Sequence, residues 1–386
     1  MFMSSKTDMK KIFSTVITVL ALASCQKATD YIDVVYFTGT EDDPSVIMYV
    51  DGPASKSLTV SASDKVSEDV RVSFVVDGAL VDQYNAAHGT AYKMLPEGSY
   101  AVSSNTFTIK AGSASSLPLT FDIISMDDFE DGVQYCAPLR ITGTSSGIEI
   151  LKASQTMFII LNQIITTNVV DLGMSRYFSV PSMVDNAAFN DMGACTLECR
   201  VYMNGWQNSN PFISSVIGVE ENFLVRFGDV SCDKNQLQYA GRGASITSAD
   251  HFDTGRWYHV AVTDDGSTLT LYVDGQVQGT ASSEGKSAIN LAWNYMGGFH
   301  IGFSERGRLL NGYVSEARVW KRALSATELV NNQCYVDPAS EGLMAYWRLG
   351  QSADGTTVSD MTAGGYDAVS SSAIVWVEGV KCPVVD

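Results

Sequence analysis

The sequence predicts an all-β protein made of two successive sandwich domains. Short runs in which apolar and polar residues alternate recur along most of the chain, as in VRVSFVV and TLTLYV, and turn residues separate them. Alternation with a period of two is typical of strands with one buried face, and repeated short strands are typical of sandwiches and barrels. The length of 386 residues suits two domains, and a hydrophobic content of 45% supplies a core for each.

The N-terminus has the pattern of an export signal. Three lysines precede an apolar run over residues 12–24, which is too short to span a bilayer and ends in LASC. LASC resembles the lipobox of bacterial lipoproteins, in which the signal is removed and the cysteine is acylated. The resemblance implies a signal peptide at residues 1–24, a lipid anchor on Cys25, and a polar tether with a first edge strand over residues 25–45. The alternative is an ordinary signal peptide followed by a chance cysteine.

Residues 46–165 are predicted to form the first sandwich. Alternating runs include SVIMYV, DVRVSFVV and PLTFDII, while the helical spacing in ALVDQYNAAH predicts one short helix that ends near Gly89. The stretch from SEDVRVSFVVDG to LPEGSY, followed by TFTIKAGSASSLPLTFDI, resembles the N-terminal β-sandwich domain of unknown function in glycan-uptake lipoproteins of gut bacteria. The same module precedes the barrel in some endo-acting family 18 glycosidases. The resemblance implies an Ig-like sandwich without a known catalytic residue.

Residues 168–380 are predicted to form the second sandwich. Its landmarks are, in chain order, CTLECRVYMNGW, NFLVRFGD, QLQYAGR, RWYHVAVTDDGSTLTLYVDG and GYVSEARVWKRALSATEL. This order resembles the concanavalin A-like, laminin-G-type jelly roll of bacterial extracellular proteins. Ser325 and Glu328 have the spacing of a capping box and predict a short helix. The DDG sequence at residues 264–266 predicts a tight hairpin turn.

Six cysteines follow Cys25, and an exported protein can oxidise them. Cys195 and Cys199 lie on one predicted strand, where four residues span about 13 Å, too far for a disulfide between them. They are either buried thiols or partners of other cysteines. Cys334 and Cys382 flank the last structural unit, and we expect them to pair.

Composition and motifs argue against nucleic-acid binding and against catalysis. A formal charge of −18 opposes phosphate binding, which needs clustered lysine and arginine. A retaining glycosidase needs two carboxylates about 5 Å apart, and the second domain lacks an E-x-D-x-x-E string that would place them on one strand. Glu316 stands alone in its strand. The four histidines lack metal-site spacing, so we expect no catalytic residue, metal or cofactor. A structural calcium ion stays open, because relatives of this jelly roll often hold one.

Glycan binding needs flat aromatic faces for the apolar side of a pyranose and planar polar groups for its hydroxyls. Loop aromatics are better candidates than aromatics in alternating strands, which are usually core. By this criterion the strand tryptophans Trp257, Trp320, Trp347 and Trp376 are expected in the core. Two candidates, Arg226 and Tyr239, come instead from strands of the sheet that faces the ligand in many jelly rolls of this class. The candidate glycan-binding residues are Asn204, Trp206, Arg226, Tyr239, Trp293, Tyr295 and Arg306.

These expectations predict a non-catalytic, cell-surface glycan-binding lipoprotein that captures oligosaccharides for an outer-membrane uptake system. Its expected partners are an oligosaccharide or the glycan of a glycoprotein, and an outer-membrane transporter complex. Contact with the membrane is expected through the lipid anchor only, and the residues after Cys25 give only a weak cue between the surface and the periplasmic face. Two alternatives stay open: an adhesion or structural lipoprotein whose jelly roll binds a protein, and a glycoside hydrolase with an unrecognised site.

Overall fold

The computed structural model describes residues 32–41, 43–130 and 133–384. The predicted signal peptide and Cys25 lie outside these residues, so the lipid anchor stays a prediction. No helix in the described part of the chain is long and apolar enough to cross a membrane. Two sandwiches follow one another, and only Ile164 separates the last strand of the first from the first strand of the second.

The first sandwich combines one large sheet with two small ones. Its strands are β1 (Val34–Phe37), β2 (Ser45–Val50), β3 (Ala54–Leu58), β4 (Val60–Ala62), β5 (Val70–Val76), β6 (Lys93–Met94), β7 (Tyr100–Val102), β8 (Thr106–Ile109), β9 (Leu119–Ile123), β10 (Tyr135–Thr144), β11 (Glu149–Ile150) and β12 (Thr156–Gln163). The large sheet has the order β2-β12-β10-β5-β8 with β6 beside β10, and the small sheets have the orders β11-β1-β4 and β3-β9-β7. Inward side chains from all three sheets, among them Phe37, Phe107 and Phe121, form one core.

The predicted helix of this domain is α1 (Leu80–His88). It ends at Gly89, whose φ of 65° is the left-handed conformation that glycine adopts without steric cost. Val81 and Tyr84 on its buried face pack with Cys136 and a few neighbours in a small separate core. The helix prediction is therefore confirmed, together with its C-terminus.

The second sandwich consists of two eight-stranded sheets. Its strands are β13 (Ile165–Asp171), β14 (Phe178–Ser179), β15 (Cys195–Gly205), β16 (Ser214–Val219), β17 (Phe223–Asp229), β18 (Cys232–Gly241), β19 (Ala244–Thr247), β20 (Trp257–Asp264), β21 (Thr268–Val273), β22 (Gln276–Ser282), β23 (His300–Ile301), β24 (Asn311–Trp320), β25 (Leu343–Trp347), β26 (Thr357–Val358), β27 (Ala368–Ser370) and β28 (Trp376–Cys382). The front sheet has the order β19-β18-β17-β16-β23-β14-β27-β26. The back sheet has the order β22-β21-β20-β15-β24-β13-β28, with β25 beside β24. Among the residues that the structure describes, short 3₁₀ helices occur at Lys152–Ser154 in the first sandwich and at Pro181–Met183 and Ala187–Phe189 in the second.

Strand alternation decides which side chains of the second sandwich meet in its core. Leu197 and Val201 point inward from the back sheet, and Val225 and Phe227 point inward from the front sheet, all with no exposed surface. The alternate residues Glu198 and Arg200 on β15 and Arg226 on β17 are absent from this core and point outward, so each sheet presents one outer face. The hairpin predicted from DDG joins β20 to β21, and the Asp265 carboxylate accepts the Thr268 backbone N–H at 2.8 Å within it.

The segment over residues 324–336, which we call the closing segment, packs on part of the back sheet's outer face. Helix α2 (Ala326–Asn331) begins at the predicted capping box of Ser325 and Glu328. Beyond it, Cys334 forms a disulfide with Cys382 at the end of β28, with a Cα–Cα distance of 5.4 Å. The predicted pairing is thus confirmed, and Cys195 and Cys199 are free, buried thiols.

Several expectations need correction. Strand β1 pairs with β4 and β11 inside the first sandwich, so this sandwich begins before residue 46 and β1 is not an edge strand. Trp320 and Trp347 are fully buried as predicted, and Trp376 packs partly buried against the core. Trp257 is not a core residue: it lies partly exposed on the outer face of the back sheet, because its neighbour Tyr258 takes the inward position.

Candidate functional site

The outer face of the front sheet carries a polar floor centred on Arg226. This arginine extends outward from β17 because Val225 and Phe227 on either side point into the core. Its Nη2 lies 2.6 Å from Asp229 Oδ2, and its Nε donates to Gln238 Oε1 at 2.9 Å. The sequence analysis assigned Arg226 to a strand of a sheet that binds ligand in similar jelly rolls, and its role in binding stays a prediction.

Arg308 extends this floor along the sheet. Its Nη1 lies 2.8 Å from Glu220 Oε1, and its Nη2 lies 2.9 Å from Glu305 Oε2. Glu220 also lies 3.6 Å from Arg226 Nη1, so one carboxylate bridges both arginines. The bridge restricts the rotamers of all three side chains, and Glu220 Oε2 keeps an unused acceptor within the described residues. Arg308 and Asp229 are partly exposed at the edge of the floor, where a ligand can reach them.

Two loops meet at one end of the floor. Gln207, which follows Trp206, donates from Nε2 to the Gly307 carbonyl at 3.0 Å, so the loop of Trp206 contacts the loop of Arg306. Trp206 itself is partly buried against Phe227, with ring centroids 5.1 Å apart, and it offers only part of its surface. Arg306 is exposed beside it.

An exposed aromatic pair lies on a different loop of the domain. Trp293 and Tyr295 stack with ring centroids 5.1 Å apart and an interplanar angle of 25°, and Trp293 is 39% exposed. Their loop is held in place, because Asn290 donates its backbone N–H to Asn222 Oδ1 at 2.8 Å, in the turn between β16 and β17. The two rings therefore form a preorganised apolar surface at the edge of the front sheet.

Buried aromatic packing connects this loop to the sheet. His300 on β23 is 3% exposed and makes edge contacts with Tyr177 at 5.6 Å and Phe303 at 5.0 Å. A Cβ on Gly297, in the loop of Trp293, would lie 3.6 Å from His300 Nε2. Burial lowers the pKa of His300 to about 4, so the imidazole is neutral at neutral pH. His300 is therefore a buried packing residue of the sandwich.

Two predicted candidates do not belong to this face. Tyr239 is completely buried, packs edge-on against Phe223 at 5.1 Å and cannot stack on a sugar. Its side chain points into the core because Tyr239 is paired with inward-pointing Val225. Asn204 is exposed on β15 and alternates with buried Met203, which places it on the outer face of the back sheet.

The floor residues Glu220, Asp229, Gln238 and Arg308 were missed from the sequence. Each stands in an ordinary polar context, and only the register of β16, β17 and β18 and the path of the loop after β23 bring them together. The one signal in the sequence was the position of Arg226 between two apolar residues, which predicts that its side chain points outward. Gln238 is paired with Arg226 in the sheet and therefore points outward as well.

The back sheet contains a buried charge network that the sequence did not predict. Glu316 does not stand alone: Arg318 lies 2.6 Å from its Oε2 and 3.3 Å from Oε1 of Glu198 on the neighbouring strand. Trp320 Nε1 also donates to Glu198 at 2.8 Å. Burial opposes ionisation of Glu198, but Arg318 and His259 hold its pKa below the usual range. Both carboxylates are at most 1% exposed, so a substrate cannot reach them.

Within residues 32–41, 43–130 and 133–384, no three His, Cys, Asp or Glu side chains are arranged to hold a metal ion together. A structural calcium ion therefore stays an open possibility.

Comparisons with known proteins follow the division into two domains. A model of a family described as an N-terminal domain matches residues 29–148. The model of the concanavalin A-like lectin/glucanase superfamily matches residues 172–330. A search of curated proteins finds no match.

Among solved structures, a presumed carbohydrate-binding protein from Bacteroides ovatus is 25% identical, with a TM-score of 0.56, and the match covers 89% of this chain and 97% of that chain. Bacteroides thetaiotaomicron EndoBT-3987 with a Man5GlcNAc product is 18% identical over 33% of this chain and 30% of its own, with a TM-score of 0.29. A Trypanosoma rangeli sialidase with an inhibitor is 17% identical over 36% and 22%, with a TM-score of 0.28. The predicted fold class is confirmed: the chain is all-β and its second domain is a concanavalin A-like, laminin-G-type jelly roll.

Proposed function

We propose that this protein is a non-catalytic, cell-surface lipoprotein that binds oligosaccharides on the front face of its jelly roll and delivers them to an outer-membrane uptake system. The observation that carries the proposal is the stacked, exposed pair of Trp293 and Tyr295 at the edge of a polar, outward-facing sheet. The likeness over both domains to a presumed carbohydrate-binding protein supports the same class of function.

The mechanism is binding without bond cleavage. The exposed side of Trp293 takes the C–H face of a pyranose, since a large aromatic face contributes apolar area in a fixed orientation. The hydroxyl groups of the sugar form hydrogen bonds with side chains such as Arg308 and Asp229. Because ion pairs already fix these side chains, little rotamer entropy is lost on binding. Arg306, which is exposed at the other end, extends the contact along a longer oligosaccharide.

Delivery to a transporter rests on the proposed anchor at Cys25. The first sandwich acts as a spacer, because a single residue, Ile164, separates β12 from β13 and limits the freedom between domains. Replacing Cys25 with alanine should move the protein from the outer-membrane fraction to the soluble fraction. Unchanged membrane association of the Cys25→Ala protein would contradict the anchor and leave the glycan site untouched.

The glycan site is tested with a glycan array followed by calorimetry on the parent and the Trp293→Ala variant. A matched control is Tyr49→Ala, which removes a ring of similar exposure, 42%, from β2 of the first sandwich. We expect Trp293→Ala to weaken binding about tenfold and Tyr49→Ala to leave it unchanged. Equal affinity of the parent and Trp293→Ala would refute the site. Binding of a protein in place of every glycan would favour adhesion, and new reducing ends from a polysaccharide would favour a hydrolase.

A further inference from the structure

The outer face of the back sheet carries an aromatic patch, formed by Tyr202, Trp257 and Tyr313. The three residues lie in one cross-strand row, because Tyr202 on β15 pairs with Trp257 on β20 and with Tyr313 on β24. Their ring centroids are 5.0 to 6.3 Å apart, and all three are partly exposed. None belongs to the core of the sandwich.

Arg200 supports the patch from below. Its guanidinium carbon lies 4.6 Å from the centroid of the Trp257 ring, and the residue is only 4% exposed. Since Arg200 is buried against one side of the indole, the exposed surface of Trp257 belongs to the rest of the ring. The Tyr202 ring is inclined by 58° to the indole, so it stands beside the indole as a wall. Burial lowers the pKa of Arg200 to about 10, which leaves it charged and able to make this cation–π contact at neutral pH.

Hydrogen-bonding groups around the patch are free to bind a ligand. In the described part of the chain, the Tyr202 and Tyr313 hydroxyls and the Trp257 indole N–H make no hydrogen bond to protein. Arg200 Nη1 has no partner there either, although it is buried. Asn204 is exposed two residues beyond Tyr202 on the same side of β15. A supported ring, flanking hydroxyls and a nearby amide match the needs of a saccharide.

We propose that Tyr202, Trp257 and Tyr313 form a second saccharide-binding site, on the opposite side of the jelly roll from the front face. A protein partner fits this patch poorly, because a stable protein interface needs about 800 Å² from each side. Three partly exposed rings supply much less, and their surroundings are polar, with Arg256 and Asp274 exposed by 61% and 39% of their side chains. One or two pyranose rings match the size of the patch.

Two sites on opposite faces would make one domain bivalent. Both faces could then hold one branched glycan or two chains of a polysaccharide, and the second contact would form at the high effective concentration that the first creates. Short oligosaccharides gain nothing from this arrangement, whereas a polymer gains avidity. The inference does not depend on the front face, since the core of the sandwich separates the two outer faces.

The test uses Trp293→Ala as background, so that binding on the front face is weakened. Cellohexaose, xylohexaose and α-1,6-mannohexaose are titrated by calorimetry into this protein and into versions that also carry Trp257→Leu or Tyr313→Ala. Leucine keeps an apolar cover over Arg200 and removes the aromatic face, and the urea midpoint of each variant checks the fold. The control in the same background is Tyr49→Ala.

We expect at least one hexasaccharide to bind the Trp293→Ala protein. Trp257→Leu should then weaken this binding about tenfold, and Tyr49→Ala should not change it. If the Trp293→Ala protein binds as tightly as the parent chain and Trp257→Leu then abolishes this binding, the front face is refuted and the patch is supported. The patch proposal is overturned if no hexasaccharide binds in the Trp293→Ala background, or if Trp257→Leu binds as well as its parent. It is also overturned if Trp257→Leu converts a dimer into a monomer, since the patch would then be a self-interface.

Discussion

The disulfide between Cys334 and Cys382 makes a quantitative prediction about the second sandwich. It ties the segment after α2 to the end of β28 and so holds the cover of the buried charge network in place. The perturbation is the double variant Cys334→Ser/Cys382→Ser. Without the bond, the unfolded chain regains the conformational freedom of a loop of 48 residues. Loop-closure entropy for this length is roughly −14 cal/mol/K, which corresponds to about 4 kcal/mol at 25 °C.

The assay is urea unfolding followed by tryptophan fluorescence. All six tryptophans of the chain lie in the second sandwich, so the signal reports on this domain alone. With a urea m-value of about 2–3 kcal/mol/M, the loss of about 4 kcal/mol lowers the midpoint by roughly 1.3–2 M. Reducing agent should shift the parent toward the double variant and leave the double variant unchanged.

Cys232→Ser is the matched control, because Cys232 is a partly exposed thiol outside the disulfide. Its midpoint should stay near that of the parent, with and without reductant. If the Cys334→Ser/Cys382→Ser protein unfolds within about 0.3 M of the parent, the closing segment is held by its packing alone. The argument from loop entropy would then be wrong for this domain.

Two further predictions concern buried titratable groups. Burial lowers the pKa of His300 to about 4 from 6.5, so its contribution of about 3 kcal/mol is present above pH 6.5 and is lost as the pH falls toward 4. Urea midpoints at pH 7.5 and 4.5 should therefore differ less for His300→Gln than for the parent, and equal differences would contradict the shift. Arg318→Met leaves Glu198 and Glu316 without their shared cation and should cost about 3–5 kcal/mol. Adding Glu198→Gln and Glu316→Gln should restore part of the urea midpoint, whereas a further loss would show that Arg318 acts through packing.

Much of the fold could be predicted because its signals are local. Alternation identified the strands, a left-handed glycine ended α1, and a capping box of Ser325 and Glu328 began α2. The pairing of Cys334 with Cys382 was also expected from their positions at the ends of one unit. Each of these features is determined by residues a few positions apart or by the order of elements along the chain.

The sites could be predicted only in part, because they depend on register across strands. Trp293 and Tyr295 could be proposed from the sequence, since an aromatic residue outside an alternating run has no core position to fill, and their part in glycan binding stays a proposal. The bridge from Glu220 to Arg308 was not found, because these residues are far apart in sequence and lie on one face only after β16 and β23 have paired. The error at Tyr239 has the same origin. Alternation along a strand shows which residues share a side, but it does not show which side faces the core, and Tyr239 is on the buried side.

The outward residues of β20 explain why the back sheet can combine a structural and a binding role. Ala261 is fully buried under the segment that includes α2, His259 is 2% exposed, and Trp257 is partly exposed. The closing segment therefore covers one end of the strand and leaves the other open. A tryptophan under the cover, such as Trp320, finds a hydrogen-bond acceptor in Glu198, whereas the indole N–H of Trp257, at the open end, finds none in the described residues. If Trp257 only shielded Arg200, leucine would replace it without consequence for any ligand, so the response of saccharide binding to Trp257→Leu separates the two roles.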